Sequence, residues 1–210
     1  MKEKPEIAYH FTGNKLRNGR PLPAIGEWLV ETGEIRLCER GLHASRTPFQ
    51  ALSFAPGFKL HKVEVREIVT ETDDKLVARQ RKILMTIDAK DLILSFARKQ
   101  ALSVCHLFDC PPVLKKWLET GDESTRKGAK DAATAAYAAA NTAYTYTGAA
   151  YAYAAAAAAY AAHAAAYATA AYTAYTAYTA AADADYANKK KAVNMFNQAV
   201  EEAFRVGSHS

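Results

Sequence analysis

One stretch of this 210-residue chain, residues 131–187, limits most strongly what the chain can fold into. The stretch holds 32 Ala, 11 Tyr and 8 Thr, and it contains no Lys or Arg. Alanine has the highest helix propensity because its side chain loses no rotamer entropy in a helix. The composition therefore predicts helix from about residue 124 to residue 188, which makes the second half of the chain helical.

The tyrosines of this stretch recur at intervals of seven residues. One series comprises Tyr146, Tyr153, Tyr160 and Tyr167, and a second comprises Tyr137, Tyr144 and Tyr151. This spacing places each series along one side of a helix, and the alanines between them let helices approach closely. A helix with so few charged residues must pack against another helix to remove its surface from water. We expect it either to fold back, with breaks near Gly148 and within residues 169–179, or to pair with copies of itself. The tyrosines of residues 172–178 are spaced by three and cannot share one narrow face, so we expect an irregular helix there.

The first half of the chain has a different pattern, which predicts a small α+β module. Short runs rich in β-branched and aromatic residues predict strands at residues 6–11, 35–38, 59–68 and 81–87. A short helix is expected from Thr47, with Ser45 or Thr47 as its N-cap. Periodicity near 3.6 residues then predicts helices over residues 88–121. The sequence thus predicts an α+β fold in three segments: 1–87, 88–121 and 122–206.

Charge and hydropathy narrow the choice of partners. The formal net charge is +5 and the pI is near 9.0, but the positive residues are mixed with carboxylates before residue 131. This mixing argues against a nucleic-acid partner. Leu, Ile and Val are absent from residues 131–187, which argues against a membrane span, and the N-terminus has no apolar core typical of a signal peptide. We therefore predict a cytoplasmic protein without a membrane partner.

The three cysteines bear on compartment and on metal binding. An odd number of cysteines argues against a fully paired disulfide framework and fits a reducing compartment. A soft metal site would have to draw on Cys38, His43, Cys105, His106 and Cys110. No CxxC pair is present among them, so the spacing favours free thiols and no bound metal.

Several short motifs are shared with a known group of proteins. They are residues 41–45 (GLHAS), 52–56 (LSFAP), 73–79 (DDKLVAR), 106–109 (HLFD) and 118–124 (LETGDES), followed by the alanine and aromatic tract. With these motifs the chain resembles a family of uncharacterised proteins from tailed phages and prophages, along nearly its whole length. The resemblance implies an accessory protein in the cytoplasm of an infected host. In that family the tract carries Trp, Arg and Asp where this chain has Tyr and Thr.

The first module also resembles the ADP-ribosyltransferases in the order of a few residues. That resemblance implies NAD as cofactor, His10 on an early strand at the ribose, Ser45 in a following strand and helix, and Glu64 or Glu67 as the acid. The alternative is a structural α+β module in which Ser45 is an N-cap and His10 an ordinary strand residue. Under that alternative the chain has no catalytic residues and no cofactor.

The tyrosines admit two main interpretations. They fill gaps between helices, or they form a protein-binding surface, since tyrosine is enriched at interfaces. The residues of that predicted surface are Tyr146, Tyr153, Tyr160, Tyr167, Tyr172, Tyr175 and Tyr178. The leading hypothesis is a phage-type accessory protein that binds a host factor, including defence systems, and self-associates through these helices. The alternative is an NAD-binding enzyme of the ADP-ribosyltransferase type.

Overall fold

The computed structural model describes residues 6–147, 149–186 and 189–207. The strands are β1 Glu6–Thr12, β2 Trp28–Val30, β3 Leu42–Ala44, β4 Lys59–Glu71 and β5 Leu76–Asp88. The helices are α1 Pro48–Leu52, α2 Lys90–Ser103, α3 Pro112–Thr120, α4 Arg126–Thr147, α5 Ala150–Tyr167, α6 Ala171–Ala184 and α7 Lys189–Gly207, with 3-10 turns at Cys105–Leu107 and Glu123–Thr125. The predicted α+β class is confirmed.

Chain contacts divide the protein into two compact units. The first unit comprises residues up to Lys90 together with the end of α7 from Met195, and the second comprises Asp91–Asn194. Helix α7 therefore begins in the second unit and ends in the first. The division into residues 1–87, 88–121 and 122–206 stays a prediction.

The first unit is built on an antiparallel sheet. The long strands β4 and β5 form its central hairpin, and β1 pairs with the other edge of β4. Strands β3 and β2 pair with β5 at residues 76–78 and 80–82, respectively. Immediately after β3, Ser45 exchanges two backbone hydrogen bonds with Tyr9 of β1, at 2.8 and 2.9 Å. The pairings β1–β4–β5–β3 thus return to β1, and the sheet closes into a small ring.

Small and β-branched side chains fill the inside of this ring. The buried cluster comprises Ala8, Ala44, Val63, Val65, Leu76, Ala78 and Ile83. Alanine at three of these positions lets the strands curl tightly, since the interior of a small barrel has little room for larger side chains. The β4–β5 pairing shifts register between Lys62 and Val63 and again between Ile68 and Thr70. Such bulges increase the local twist and help a sheet to close.

The end of α7 packs on the outside of the first unit. Phe196, Val200 and Phe204 are buried at a spacing of four residues, so they lie on one face of the helix. The Phe196 ring meets the Phe49 ring edge to face at 5.9 Å between centroids. Glu201, on the neighbouring turn, accepts a hydrogen bond from the Tyr9 hydroxyl and one of 2.9 Å from Lys62 Nζ.

The second unit is a helical layer in which α5 packs against both α4 and α6. Nine alanines of α5 are buried. The Tyr137 ring contacts the Tyr160 ring at 5.1 Å, and Arg126 donates hydrogen bonds of 3.2 and 2.8 Å to the carbonyls of Ala166 and Ala168 at the end of α5. Of the two predicted arrangements, the stretch therefore folds back on itself, and it does so twice.

Two expectations about local structure, for residues 35–38 and for residues 172–178, are wrong, and the choice between two predicted N-caps of α1 is decided. Residues 35–38 form no strand, because this segment turns back through hydrogen bonds between Arg36 and Arg40. Thr47 is the N-cap of α1, in a capping box with Gln50, whereas Ser45 belongs to the sheet. Residues 172–178 lie within the continuous helix α6, because their alanines supply one buried side. A break does occur between Tyr167 and Ala171, whereas Gly148 lies outside the described residues.

Candidate functional site

A cleft of about 1030 Å³ opens in the first unit, beside the strands that close the ring. Strand β1 lines it with residues 9–12, β3 with residues 42–44, and β5 with Arg81. Two further segments, residues 15–18 and 38–41, complete its wall. This volume lies at the upper end of the range for small-molecule sites, which is roughly 300–1,000 Å³.

Arg81 is the most unusual residue of this cleft. Its partner on β4 is Val65, a residue of the buried cluster, so its side chain points to the inside of the ring. Arg81 is only 5% exposed. Its guanidinium donates one hydrogen bond to the His43 carbonyl, and no carboxylate within the described part of the chain forms an ion pair with it. Burial lowers the pKa of Arg81 to about 10, so it stays charged at neutral pH.

Two histidines lie in the same cleft and are held in the neutral form. Burial, followed by the positive charge of Arg81, keeps the pKa of His10 well below its usual value of 6.5. Burial likewise lowers the pKa of His43. The His43 Nε2 accepts the Cys38 N–H at 2.9 Å, so its Nδ1, 3.1 Å from the Gly41 carbonyl, carries the proton. A neutral imidazole offers one donor and one acceptor and adds no charge to the cleft.

Glycine is required at one point of the cleft wall. Gly41 has φ +130°, and a Cβ at this position would lie 2.3 Å from Cγ2 of Val77. Only glycine adopts this conformation without strain and without moving β5. The close approach brings residues 38–41 against the sheet, where they form one side of the cleft.

The mouth of the cleft carries more positive than negative charge. Its lining includes Lys15, Arg17, Arg40 and Lys75 as cations besides Arg81, and Glu31 and Glu39 as anions. Arg40 pairs with Glu31 at 2.9 Å. The Lys75 ammonium lies 4.8 Å from the centroid of the Phe54 ring, which is 47% exposed. The remaining excess of positive charge attracts anions toward Arg81.

The structure brings together two of the three residues of the predicted transferase site. His10 and Ser45 both line the cleft. Glu64 pairs with Ile7, whereas His10 pairs with His61, and side chains alternate along a strand. Glu64 therefore lies on the opposite face of the sheet, where it binds Lys82 at 2.8 Å and Arg66 at 2.6 Å. Glu67, the other predicted acid, is exposed and is not part of the lining.

The predicted tyrosine surface is only partly exposed. Tyr146 is 86% exposed and Tyr172 is 61% exposed. The exposed fractions of Tyr153, Tyr160 and Tyr167 are about half that of Tyr146, and Tyr175 is half-buried. Tyr178 is buried at 3% exposure, with its ring stacked on Phe96 at 5.8 Å. Tyr178 thus fills space between helices, as the packing interpretation expects for a tyrosine in this layer.

Residues 6–147, 149–186 and 189–207 contain no group of three His, Cys, Asp or Glu side chains placed to hold a metal ion. Within the same ranges, no helix is both long enough and apolar enough to cross a bilayer.

Arg81 is the candidate site residue that the sequence pattern did not single out. The only signal in the sequence is weak, because Arg81 shares its side of the strand with the apolar Ile83 but lies within the polar run of residues 79–82. Lys82 and Arg79 flank it in the same strand, so composition alone does not show which of the three cations is buried.

A buried histidine beneath the cleft leads to a prediction about pH. His61 is 1% exposed, and its ring bridges Thr12 and Thr86 at 2.8 Å on each side. Burial lowers the pKa of His61 from 6.5 to about 4. The unfolded chain therefore binds more protons between these two pH values, and the stability present above 6.5 is lost as the pH falls. We expect His61 to remove about 3 kcal/mol of unfolding free energy by pH 4.

Urea unfolding of the protein at a series of pH values measures this loss. His10 contributes with the same sign, so the variant His61→Gln should retain a shallower pH slope than the wild type. The exposed His106 provides the control, because His106→Gln should leave the slope unchanged. A wild-type stability that stays level from pH 7 to pH 4 contradicts the prediction.

Comparisons with known proteins match the region that contains this cleft. Residues 7–95 match a family model described as a domain of unknown function (DUF7666). Searches of the curated proteins and of the solved structures give no match. Every residue that lines the cleft lies within the matched range.

Proposed function

We propose that the first unit binds a phosphate-bearing small molecule of nucleotide size, with Arg81 as the residue that holds the phosphate. The observation that carries this proposal is the buried guanidinium, which lines a large cleft and makes no ion pair among the described residues. A buried charge without a counterion is unfavourable. Arginine presents a rigid fork of N–H donors that matches phosphate oxygens, so a phosphate at this position supplies the missing charge.

The shape and lining of the cleft support a nucleotide over a bare anion. Inorganic phosphate would fill only a small part of about 1030 Å³. Phe54 offers an exposed aromatic ring at the cleft, on which a base can stack. The neutral His10 adds a donor and an acceptor suited to ribose hydroxyls, whereas both ring nitrogens of His43 already bond to residues 38–41 and hold that wall of the cleft in place. NAD, the cofactor implied by the resemblance to ADP-ribosyltransferases, meets these requirements and is the first ligand to try.

Binding is better supported than group transfer. The acid predicted for the transferase reaction, Glu64, lies on the other face of the sheet. The carboxylates that do line the cleft are Glu31 and Glu39, and Glu31 is paired with Arg40. We therefore propose a nucleotide-binding domain and assign no reaction to it.

Titration calorimetry tests the proposal with a series of related compounds. NAD, ADP-ribose and ADP should bind saturably, with dissociation constants below about 1 mM, whereas adenosine, which lacks phosphate, should bind far more weakly. The affinity should fall as salt is added, because the mouth of the cleft is positively charged. If no phosphate-bearing compound binds at millimolar concentration, or if adenosine binds as well as ADP, the proposal is wrong.

Protein association through the tyrosine surface is a second proposed function. It rests on the exposure of Tyr146 and Tyr172, which present large aromatic side chains to solvent in a segment with few charged residues. Exposed tyrosines of this kind are typical of interfaces. We propose that the surface binds a second copy of the chain. A host factor as partner, and the phage origin that suggested it, stay predictions.

Light scattering tests this second function. We expect the wild type to have a mass above that of the 22.9 kDa monomer, and the double variant Tyr146→Ser, Tyr172→Ser to shift toward the monomer. Tyr186→Ser is the matched control, because Tyr186 is 78% exposed but lies outside the predicted surface. A monomeric wild type at high protein concentration contradicts self-association, and an equal loss in the control contradicts the assigned surface.

A further inference from the structure

Two cysteines of the second unit lie in contact. Cys105 begins the 3-10 turn Cys105–Leu107 after α2, and Cys110 stands before the two prolines that start α3. Their Sγ atoms are 3.0 Å apart. A disulfide requires a separation of about 2.05 Å, so a sulfur movement of about 1 Å would close the bond.

We propose that Cys105 and Cys110 form an oxidation site, in which the two thiols exchange with a small disulfide such as glutathione disulfide and close to an intramolecular disulfide. The spacing of the cysteines favours free thiols here, and both cysteines are reduced in the structure. Oxidation needs no large rearrangement of the backbone, because the two sulfurs are already neighbours in the reduced protein.

The two sulfurs differ in exposure and in acidity, and these differences determine which thiol reacts first with the small disulfide. Cys110 is half-buried and reaches solvent, whereas Cys105 is buried. The hydrogen bond between the two sulfurs lowers the pKa of the Cys110 thiol. The same hydrogen bond, together with burial, raises the pKa of the Cys105 thiol. Cys110 is therefore the thiolate that meets the oxidant, since the thiolate is the reactive form.

The exchange proceeds in two balanced steps. The Cys110 thiolate attacks one sulfur of glutathione disulfide, forming a mixed disulfide and releasing one glutathione thiolate. Cys105 then gives up its proton to solvent and attacks the Cys110 sulfur, which expels the second glutathione thiolate. The two protein thiols are oxidised to one disulfide, and one glutathione disulfide is reduced to two thiols.

Cys38 supplies an internal control in the same chain. It is exposed, and the structure places it in a turn where its backbone hydrogen-bonds to His43. A single exposed thiol reacts with glutathione disulfide only as far as a mixed disulfide, because no second thiol is beside it to resolve it.

Peptide mass spectrometry after oxidation tests the proposal. The protein is incubated with glutathione disulfide, quenched in acid and alkylated, and Cys105 and Cys110 are read in one tryptic peptide, residues 100–115. We expect alkylation of this peptide to fall at least about tenfold and its mass to drop by two hydrogens, while Cys38 carries glutathione or stays alkylated. A peptide that remains alkylated, or that carries glutathione on both cysteines, overturns the proposal.

Two single variants test the order of the steps. Cys105→Ser should trap the glutathione adduct on Cys110, because the resolving thiol is gone, and Cys38→Ser should leave the internal disulfide unchanged. An adduct that fails to accumulate on Cys110 in folded Cys105→Ser would overturn the assignment of Cys110 as the attacking thiol. Far-UV circular dichroism establishes that each variant is folded before it is oxidised.

Discussion

Replacement of Arg81 by methionine is expected to abolish phosphate-dependent binding in the cleft while leaving the protein at least as stable as the wild type. Methionine fills most of the volume of the arginine stem but carries no charge and no donors. Each hydrogen bond from a charged donor to a ligand contributes about 1.5–3 kcal/mol, so loss of a two-pronged contact weakens binding by about 100-fold or more.

The expected gain in stability has the same physical origin as the loss of binding. Arg81 is buried, with one backbone hydrogen bond and no ion pair among the described residues. Replacing a buried charge by an apolar side chain of similar size is often neutral or stabilising by about 1–4 kcal/mol. We therefore expect the free energy of unfolding of Arg81→Met to match or exceed that of the wild type when no ligand is present.

Lys82, the next residue in β5, provides a matched control, because its replacement should change stability and leave ligand affinity unchanged. Lys82 lies on the other face of β5, where it binds Glu64 at 2.8 Å and stacks over the Trp28 ring at 4.7 Å. Lys82→Met should lose stability, because Glu64 loses one of its two cationic partners, and should leave ligand affinity unchanged. Calorimetric titration with ADP, together with urea unfolding, measures both quantities. Unchanged affinity in Arg81→Met contradicts the assignment of Arg81.

Replacement of Ala162 by leucine is expected to lower the free energy of unfolding by about 2–3 kcal/mol, because it overpacks the alanine layer. Ala162 has no exposed surface in α5, the helix that packs against both α4 and α6. Helix backbones that approach over methyl groups leave no room for a longer side chain. Leucine and alanine have similar helix propensities, so the loss comes from packing alone.

Thermal unfolding followed by circular dichroism measures the effect. We expect the midpoint of Ala162→Leu to fall by about 5–10 °C. Ala139 on α4 is exposed and provides the control, because Ala139→Leu should stay within about 0.5 kcal/mol of the wild type. Equal midpoints for the two variants would mean that α5 is not closely packed against its neighbours.

Expectations about the helices succeeded where they rested on residue type. The long helical stretch, the capping of α1 by Thr47 and the start of α2 after Asp88 follow from local propensity and capping. The error at residues 172–178 has a tertiary cause. Their tyrosines are spaced by three, which suggests an irregular helix, but Ala171, Ala174 and Ala177 share a buried side and hold α6 in regular form.

Less of the candidate site than of the helices could be predicted from the sequence. His10 and Ser45 were singled out, and both line the cleft, but Glu64 was selected by its place in the chain and lies on the wrong face. Which face a strand residue occupies depends on the register of pairing, and β4 contains two register shifts. The sequence does not identify Arg81 either, because Lys82 and Arg79 are equally basic. Only the pairing with Val65 shows that Arg81 faces the inside of the ring.

Local chemistry in the sequence was enough to make the second half of the chain helical and the first half a mixed module, since helix propensity and strand alternation act over a few residues. The cleft arose only in the folded chain. It requires Ser45 to pair with Tyr9 and Arg81 to face inward beside His10, contacts between residues more than thirty positions apart in the sequence. Such contacts depend on the register and closure of the whole sheet, which no short segment encodes by itself.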